Sequence, residues 1–410
     1  MSKQRNSQPA LLILNQMAGP ITWELAEDLG KQFGPVALLT GHPDTLAKGS
    51  TTNSADSAGV LLYAAAPYQR GSFPRRAWSW LRYLVQAFFW LWRRPRQIPV
   101  LLFSNPPMLC WLGWLMAVLR GQRYAVMVHD IYPDVLIRLA GFSEGGALVR
   151  VWRWLNRRAY QRAEIVLTLG EDMAATLGSQ FKPRKTRAGA VEVVYPWVDT
   201  ARIKPMTKAA NWFARQHGQV DKLTVLYAGN MGLGHDLETM VEAARQLQDL
   251  PQVHFIFAGS GPKWSVVQEM VREGDIANVT LLGWQPEEAL PFMLATAEMA
   301  LVSLEDELQG LAVPSKSIFA LAAGSALLVV APAANELAHW TRRFGCGAVV
   351  APRTGELAQV IRQLAAQPDV LSAMQQRARQ AAETEFARNG NTHRVATLLQ
   401  TCLGLHSQTR

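Results

Sequence analysis

One pattern constrains this chain above all others: short apolar runs alternate with helical spacing, and the alternation happens twice. Leu11–Leu14, Val36–Thr40, Val60–Ala64, Val100–Phe103, Tyr124–Val128 and Ile165–Leu169 are apolar runs bounded by turn residues, and each reads as a strand. Thr22–Gln32, Ala77–Trp92 and Ala147–Gln161 carry helical spacing between them. Such alternation predicts a parallel sheet with helices on both faces, which explains why the strands are apolar throughout. A Lys/Arg-rich segment, Phe181–Arg187, and a strand at Val191–Tyr195 follow, and Pro196-Trp197-Val198-Asp199 through Pro205 reads as a linker.

The alternation then restarts. Strands are expected at Leu223–Ala228, Val253–Ala258, Val279–Leu282, Met299–Ser303, Ala326–Ala331 and Ala348–Ala351. Helices are expected at Leu237–Leu247, Lys263–Glu273, Glu287–Ala295, Lys316–Ala323 and Ala334–Arg343. The second half is therefore a Rossmann-like domain in its own right. Val370–Leu405 reads as helical with a break near Asn389-Gly390-Asn391. Two domains suit a chain of 410 residues. The expected division is 1–200, 201–385 and a terminal helical segment, 386–410.

Charge separates the halves. Residues 1–205 hold 25 Lys and Arg against 13 Asp and Glu, whereas residues 206–410 hold 16 against 19. Ten of the 14 Trp lie in the first half. A basic, Trp-rich half points to a membrane surface or a polyanion as its partner. Its arginines are interleaved with long apolar runs rather than set on a solvated basic helix, so nucleic acid is not expected. Cys110, Cys346 and Cys402 are far apart and form no CxxC pair, which suits a reducing, cytoplasmic compartment. The polar Met1–Pro9 followed by Ala10–Leu14 is too short an apolar run for a signal peptide.

The membrane question centres on Ala77–Trp92, flanked by Arg75-Arg76 and Arg93-Arg94. As a helix it would be about 24 Å long, short of the roughly 30 Å hydrocarbon core. Trp78, Leu81, Val85, Phe88 and Trp92 make one stripe, extended by Trp80, Leu84 and Leu91, and Arg82 lies on the narrow polar side. Two readings stand: a helix lying in the membrane interface, or a buried core helix. In the first, Trp78, Trp80, Arg82, Phe88, Trp92, Arg93 and Arg94 meet lipid. Met108–Leu119 is shorter and reads as a core helix.

Four motifs carry chemistry. Gly229-Asn230-Met231-Gly232-Leu233-Gly234 and Gly259-Ser260-Gly261-Pro262 each follow a strand. Ligands of open α/β sheets bind outside the carboxyl ends of strands, where glycine lets backbone approach a phosphate. Neither turn is a Walker A; each alone is ordinary turn chemistry, and together they suggest a nucleotide-diphosphate site. Pro314-Ser315-Lys316 opens a helix after Glu305-Asp306-Glu307. A lysine at a helix N-terminus opposes the helix dipole, which a bound anion would offset; otherwise it is a solvated lysine. His129-Asp130 stands directly after the strand Tyr124–Val128, a position for acid–base chemistry or for a structurally bonded loop histidine. No HExxH, CxxC or D-x-D pattern is present, so no protein-held metal site and no cofactor are expected.

Taken in order, the segments VLYAGNMGLGHDLETMVEAA, VHFIFAGSGP, NVTLLGWQPEEALPFMLATAEMALVSL, VPSKSIFALAAGSALLVVAPAANELA and FGCGAVVAP resemble the donor domain of bacterial GT-B glycosyltransferases of family 4. The first half matches through FSNPP, VHDIYPDV and VVYPWVD. The resemblance is closest to the branch that builds cell-surface polysaccharides. It implies two Rossmann-like domains facing a cleft, a nucleotide-sugar donor, and a lipid-linked (polyprenyl-diphosphate) glycan acceptor at the inner face of the membrane. It implies a retaining transferase with Gly229, Asn230 and Gly232 on the diphosphate, Gly259, Gly261 and Trp284 near the nucleoside, and Ser315 and Lys316 on phosphate or sugar. His129, with Asp130 beside it, would lie near the transferred sugar. The family's E-x7-E pattern is absent: Leu311 and Phe319 occupy its positions, leaving Glu307 or Glu336 as substitutes. His235 and Asp236 stand where an Arg and a Lys often hold the diphosphate. A sugar-nucleotide epimerase of the same architecture and a non-catalytic subunit are the competing readings.

Overall fold

The computed structural model describes residues 8–51, 59–69, 71–181, 190–303, 309–311, 313, 315–352 and 355–407. The chain divides into two compact units, Met1–Tyr195 with Asn391–Arg410, and Pro196–Gly390.

Unit 1 runs β1 (Leu11–Leu14), α1 (Pro20–Phe33), β2 (Val36–Thr40), α2 (Pro43–Thr51), β3 (Val60–Ala64), α3 (Phe73–Trp92), β4 (Val100–Phe103), α4 (Leu109–Arg120) and β5 (Tyr124–Val128). It continues through α5 (Asp134–Ala140), α6 (Ala147–Arg162), β6 (Ile165–Thr168), α7 (Glu171–Phe181) and β7 (Ala190–Val193). Among the described residues its strands form one parallel sheet in the order β3-β2-β1-β4-β5-β6-β7. The central strands are buried from end to end, as their unbroken apolar sequence requires.

Unit 2 runs α8 (Trp212–Gln216), β8 (Leu223–Asn230), α9 (Leu237–Gln246), β9 (Val253–Ser260), α10 (Trp264–Glu273), β10 (Val279–Leu282), α11 (Leu290–Leu294) and β11 (Met299–Ser303). Then come α12 (Lys316–Ala323), β12 (Ala326–Val330), α13 (Glu336–Phe344), β13 (Gly347–Val350), α14 (Glu356–Ala366) and α15 (Pro368–Thr384). Its sheet, again parallel among the described residues, has the order β10-β9-β8-β11-β12-β13. The architecture is two α/β units, each with the strand order that places a ligand crevice where the sheet reverses, between β1 and β4 and between β8 and β11.

Several local expectations are corrected. A helix that the sequence pattern did not announce, α8, lies between the linker and β8, its N-terminus capped by the Asn211 side chain accepting from Phe213 N–H at 3.0 Å. β8 and β9 run on through Gly229-Asn230 and Gly259-Ser260, so the first glycine of each turn still lies in the ladder. The helical break is at 385–387, not at Asn389-Gly390-Asn391. Phe386 is fully buried, with its ring 4.8 Å from that of Trp340, and Val198 bridges to Ala387, which pulls the chain out of helical geometry. Asn389 and Gly390 fall in the first turn of α16 (Arg388–Leu403), where backbone N–H groups need no helical partner. Residues Asn391 onward in α16 belong to unit 1: Thr392 Oγ1 donates to Asp28 Oδ2 at 3.1 Å, and Val395, Leu399 and Leu403 are buried. The Phe181–Arg187 segment lies almost wholly outside the described residues.

Helix α3 resolves both readings of its sequence into one element with two apolar faces. Trp80, Tyr83, Ala87 and Leu91 face the interior, and Tyr83 Oη donates to the Leu39 carbonyl at 2.8 Å. Trp80 therefore does not belong to the outer face: only 4% of it is exposed. Trp78, Leu81, Val85, Phe89 and Trp92 point outward. Among the described residues no helix is long and apolar enough to cross a membrane.

Candidate functional site

The site in unit 2 is built where the sheet reverses. β8 and β9 deliver their glycine turns side by side, with Gly229 opposite Gly259 and Asn230 opposite Ser260. A Cβ on Gly259 would stand 1.9 Å from the Gly229 carbonyl oxygen, and one on Gly261 2.6 Å from that of Met231. Both have φ near +147°, a region L side chains avoid. Met231 N–H donates to the Ser260 carbonyl at 2.8 Å and Lys263 N–H to that of Met231 at 3.0 Å, locking the two loops together.

Lys316 reaches this place from the first turn of α12. Its stem runs along Gly229, where a Cβ would touch Cδ and Cε at 3.8 Å. Its ammonium sits 4.2 Å from the Tyr227 ring centroid and donates to Tyr227 Oη and, at 2.9 Å, to the Asn230 carbonyl. Tyr227 Oη also donates to that carbonyl, at 2.9 Å. Among the described residues no carboxylate pairs with the Lys316 ammonium, and burial pulls its pKa down to about 7. This is a cation held at the strand end by a ring face and two neutral oxygens, with no carboxylate partner among the described residues.

The two residues that stand where the resemblance implies cations do structural work. His235 Nδ1–H donates to the Ser303 carbonyl at 2.8 Å, tying the loop after β8 to the end of β11. Burial first, and then the Lys316 and Lys263 charges, push His235 down to about 4, so its imidazole is neutral at neutral pH. Asp236 caps α9, accepting from Thr239 N–H at 3.0 Å and Thr239 Oγ1 at 2.7 Å, while its own N–H donates to Ser303 Oγ at 3.0 Å. Lys263 donates to the His235 carbonyl at 2.8 Å and pairs with Glu238 at 3.1 Å. Tyr227 and Lys263 escaped the sequence reading. A tyrosine inside an apolar strand gives no signal, whereas a lysine directly after the second glycine turn does.

The other expected residues lie as follows. Gly232 adjoins the Asn230 side chain and His235. Ser315 is exposed just before α12, and Trp284 is 69% exposed beyond β10. Glu336 begins α13 beyond β12, two strands from β8, and is buried. Glu307 lies outside the described residues.

Unit 1 presents a second polar cluster at the ends of β4 and β5. Ser104 Oγ accepts from the backbone N–H groups of His129 at 2.9 Å and Asp130 at 3.3 Å. The His129 ring packs edge-on against Phe103, and its buried Nε2 has no recorded partner among the described residues. Burial lowers His129 to about 4 and raises Asp130 to about 6. The cluster thus offers a neutral imidazole and a carboxyl that exchanges its proton near neutrality.

Residues 18–197 match the family described as a glycosyl transferase 4-like domain, and residues 210–381 match glycosyl transferases group 1. WbjE of Pseudomonas aeruginosa, described as a probable glycosyltransferase, is 26% identical over 65% of this chain and 66% of its own length, just under two thirds. WcaI of Escherichia coli, assigned to colanic acid biosynthesis as a glycosyl transferase, is 26% identical over 67% of this chain and 68% of its own. Among solved structures, HepE of Anabaena, in complex with UDP and glucose, superposes with a TM-score of 0.70 at 15% identity, covering 95% of this chain and 99% of that one.

Proposed function

The chain belongs to the bacterial GT-B glycosyltransferases of family 4, and from that premise we propose that it transfers a sugar from a nucleotide-sugar donor to a polyprenyl-diphosphate-linked glycan, with retention at the anomeric carbon. The product is a cell-surface polysaccharide or glycolipid, a reading supported by the assignment of WcaI. The observation that carries the donor site is Lys316, an ammonium with no carboxylate partner among the described residues, beside Gly229 and Asn230 where the sheet of unit 2 reverses. The UDP complex of HepE supports a nucleoside diphosphate as the group it meets.

In this reading Lys316 and the N–H groups around Gly229, Asn230 and Gly232 hold the diphosphate. Gly259, Gly261 and Trp284 line the nucleoside, and Ser315 meets phosphate or sugar. Glu336 is the remaining described candidate for a sugar-binding carboxylate. The bond from the anomeric carbon to the diphosphate oxygen breaks as the acceptor hydroxyl attacks from the same face, and the hydroxyl proton passes to the leaving diphosphate. Lys316 stabilises the charge that develops there. His129 and Asp130 stand near the transferred sugar. Trp78, Phe88 and Trp92, with Arg82, Arg93 and Arg94, hold unit 1 peripherally on the anionic cytoplasmic face of the membrane, where the acceptor resides.

The decisive experiment is a thermal-shift screen of UDP-, GDP- and dTDP-sugars. The true donor at 100 times its Kd should add about 2.7 kcal/mol of stability. If no nucleotide sugar shifts the transition, the non-catalytic reading replaces this one. Isomerisation of the donor without any acceptor would favour the epimerase.

A further inference from the structure

We propose that the membrane-facing surface is a plane of three helices, α3, α4 and α6, and that its occupant is an anionic phospholipid bilayer. This rests on the peripheral reading above but goes beyond α3. The connections β3→β4, β4→β5 and β5→β6 all run the same way across the sheet, so right-handed crossovers bring α3, α4 and α6 to one face. Their packing agrees. α3 and α4 enclose a groove of about 310 Å³ between Leu84, Val85 and Phe88 on one side and Trp111, Leu112 and Leu115 on the other. α4 meets α6 through Trp114 edge-on to Trp154 at 6.4 Å and Trp111 Nε1–H donating to Asn156 Oδ1 at 2.7 Å.

The outer side of each helix is apolar. Beside the α3 stripe, α4 exposes Leu115, Val118 and Leu119, and α6 exposes Leu148, Val151 and Trp154. A continuous patch drawn from three neighbouring helices is far more than scattered surface leucines. The composition of the plane selects its partner. α3, α4 and α6 together contain nine Arg, five of them in α6, and no Asp or Glu. Guanidinium groups stand beside the exposed rings: Arg120 lies 5.0 Å from the Trp92 ring, Arg158 5.5 Å from that of Trp154 and Arg93 5.8 Å from that of Phe89. Aromatic bodies with cations beside them suit the headgroup level, and the groove suits hydrocarbon. A second copy of the same face would set arginine against arginine with no carboxylate from α3, α4 or α6 to pair, which disfavours self-association.

The test is flotation of the full chain with phosphatidylcholine vesicles, with and without phosphatidylglycerol. Wild type should float with the anionic vesicles and less at high salt. Arg150→Glu/Arg157→Glu/Arg158→Glu, all on the exposed side of α6, should lower partition by about 10²-fold or more. Leu148→Ser/Val151→Ser/Trp154→Ser should lower it on both vesicle types, with the thermal shift by donor unchanged in both variants. If both α6 variants float like wild type while Trp78→Ser/Phe89→Ser/Trp92→Ser does not, the plane is α3 alone and the proposal falls, leaving the peripheral reading in place. If wild type does not float, both fall. If wild type is a dimer by light scattering and the α6 variants are monomers, a second copy is the occupant and the proposal is overturned.

Discussion

At the scale of single residues, the site turns on the ionisation of Lys316. Burial brings its ammonium down to about 7, so the empty site loses its cation as pH rises through neutrality. A bound diphosphate would raise that value again. Donor affinity should therefore be constant well below pH 7 and weaken above it, by up to tenfold per pH unit. Calorimetry at pH 8 should show proton uptake on binding, as a heat that depends on the buffer, and Lys316→Ala should abolish that dependence. The same variant should lower kcat by about 10²-fold or more; wild-type turnover would remove Lys316 from the chemistry. Gly229 and Lys316 are 87 positions apart, yet a glycine at the end of a strand and a lysine at the start of a helix were both legible from spacing. The partnership of Lys316 with Tyr227 was not, because an alternation of apolar runs does not report which ring lies under which cation.

At the scale of elements, the loop after β8 shows how substitutions are absorbed. Asp236 is a helix cap and His235 a brace to Ser303, so this segment is ordered without the cations that the family resemblance leads one to expect there. Asp236→Ala should cost about 1 kcal/mol in chemical denaturation, through the lost cap of α9, and leave the groups around Lys316 intact. The strands were legible because a parallel sheet buried on both faces needs uninterrupted apolar runs, and turn residues bound them sharply. Helix phase was harder. α3 is apolar almost all round, so periodicity could not say which side meets the sheet; Trp80 went inward and Phe89 outward because the sheet, not the helix, makes that choice. The outer face of α6 was hidden for the opposite reason: its five arginines make a surface helix look ordinary until Leu148, Val151 and Trp154 are seen exposed together.

At the scale of the whole molecule, the charge difference between the halves follows the two units, one basic and aromatic, the other near neutral around the Lys316 cation. The chain does not simply pass from one unit to the next, because α16 returns to close unit 1. Arg123 donates to the Leu403 carbonyl at 3.1 Å and also to that of Cys402, and Thr392 meets Asp28. A chain ended at Gly390 should therefore lose the cooperative unfolding of unit 1, followed by tryptophan fluorescence, while nucleotide sugar still protects unit 2 in a thermal shift. The return of α16 also sets a timetable. On the ribosome the strands of unit 1 are made first, but the helix that completes them comes last, after all of unit 2. At about 5–20 residues per second, that leaves the first sheet waiting for roughly 10–40 s. The half of the molecule with the most exposed aromatic surface is thus the last to be sealed, and in the cell it is the half with most need of a chaperone or of the membrane itself while it waits.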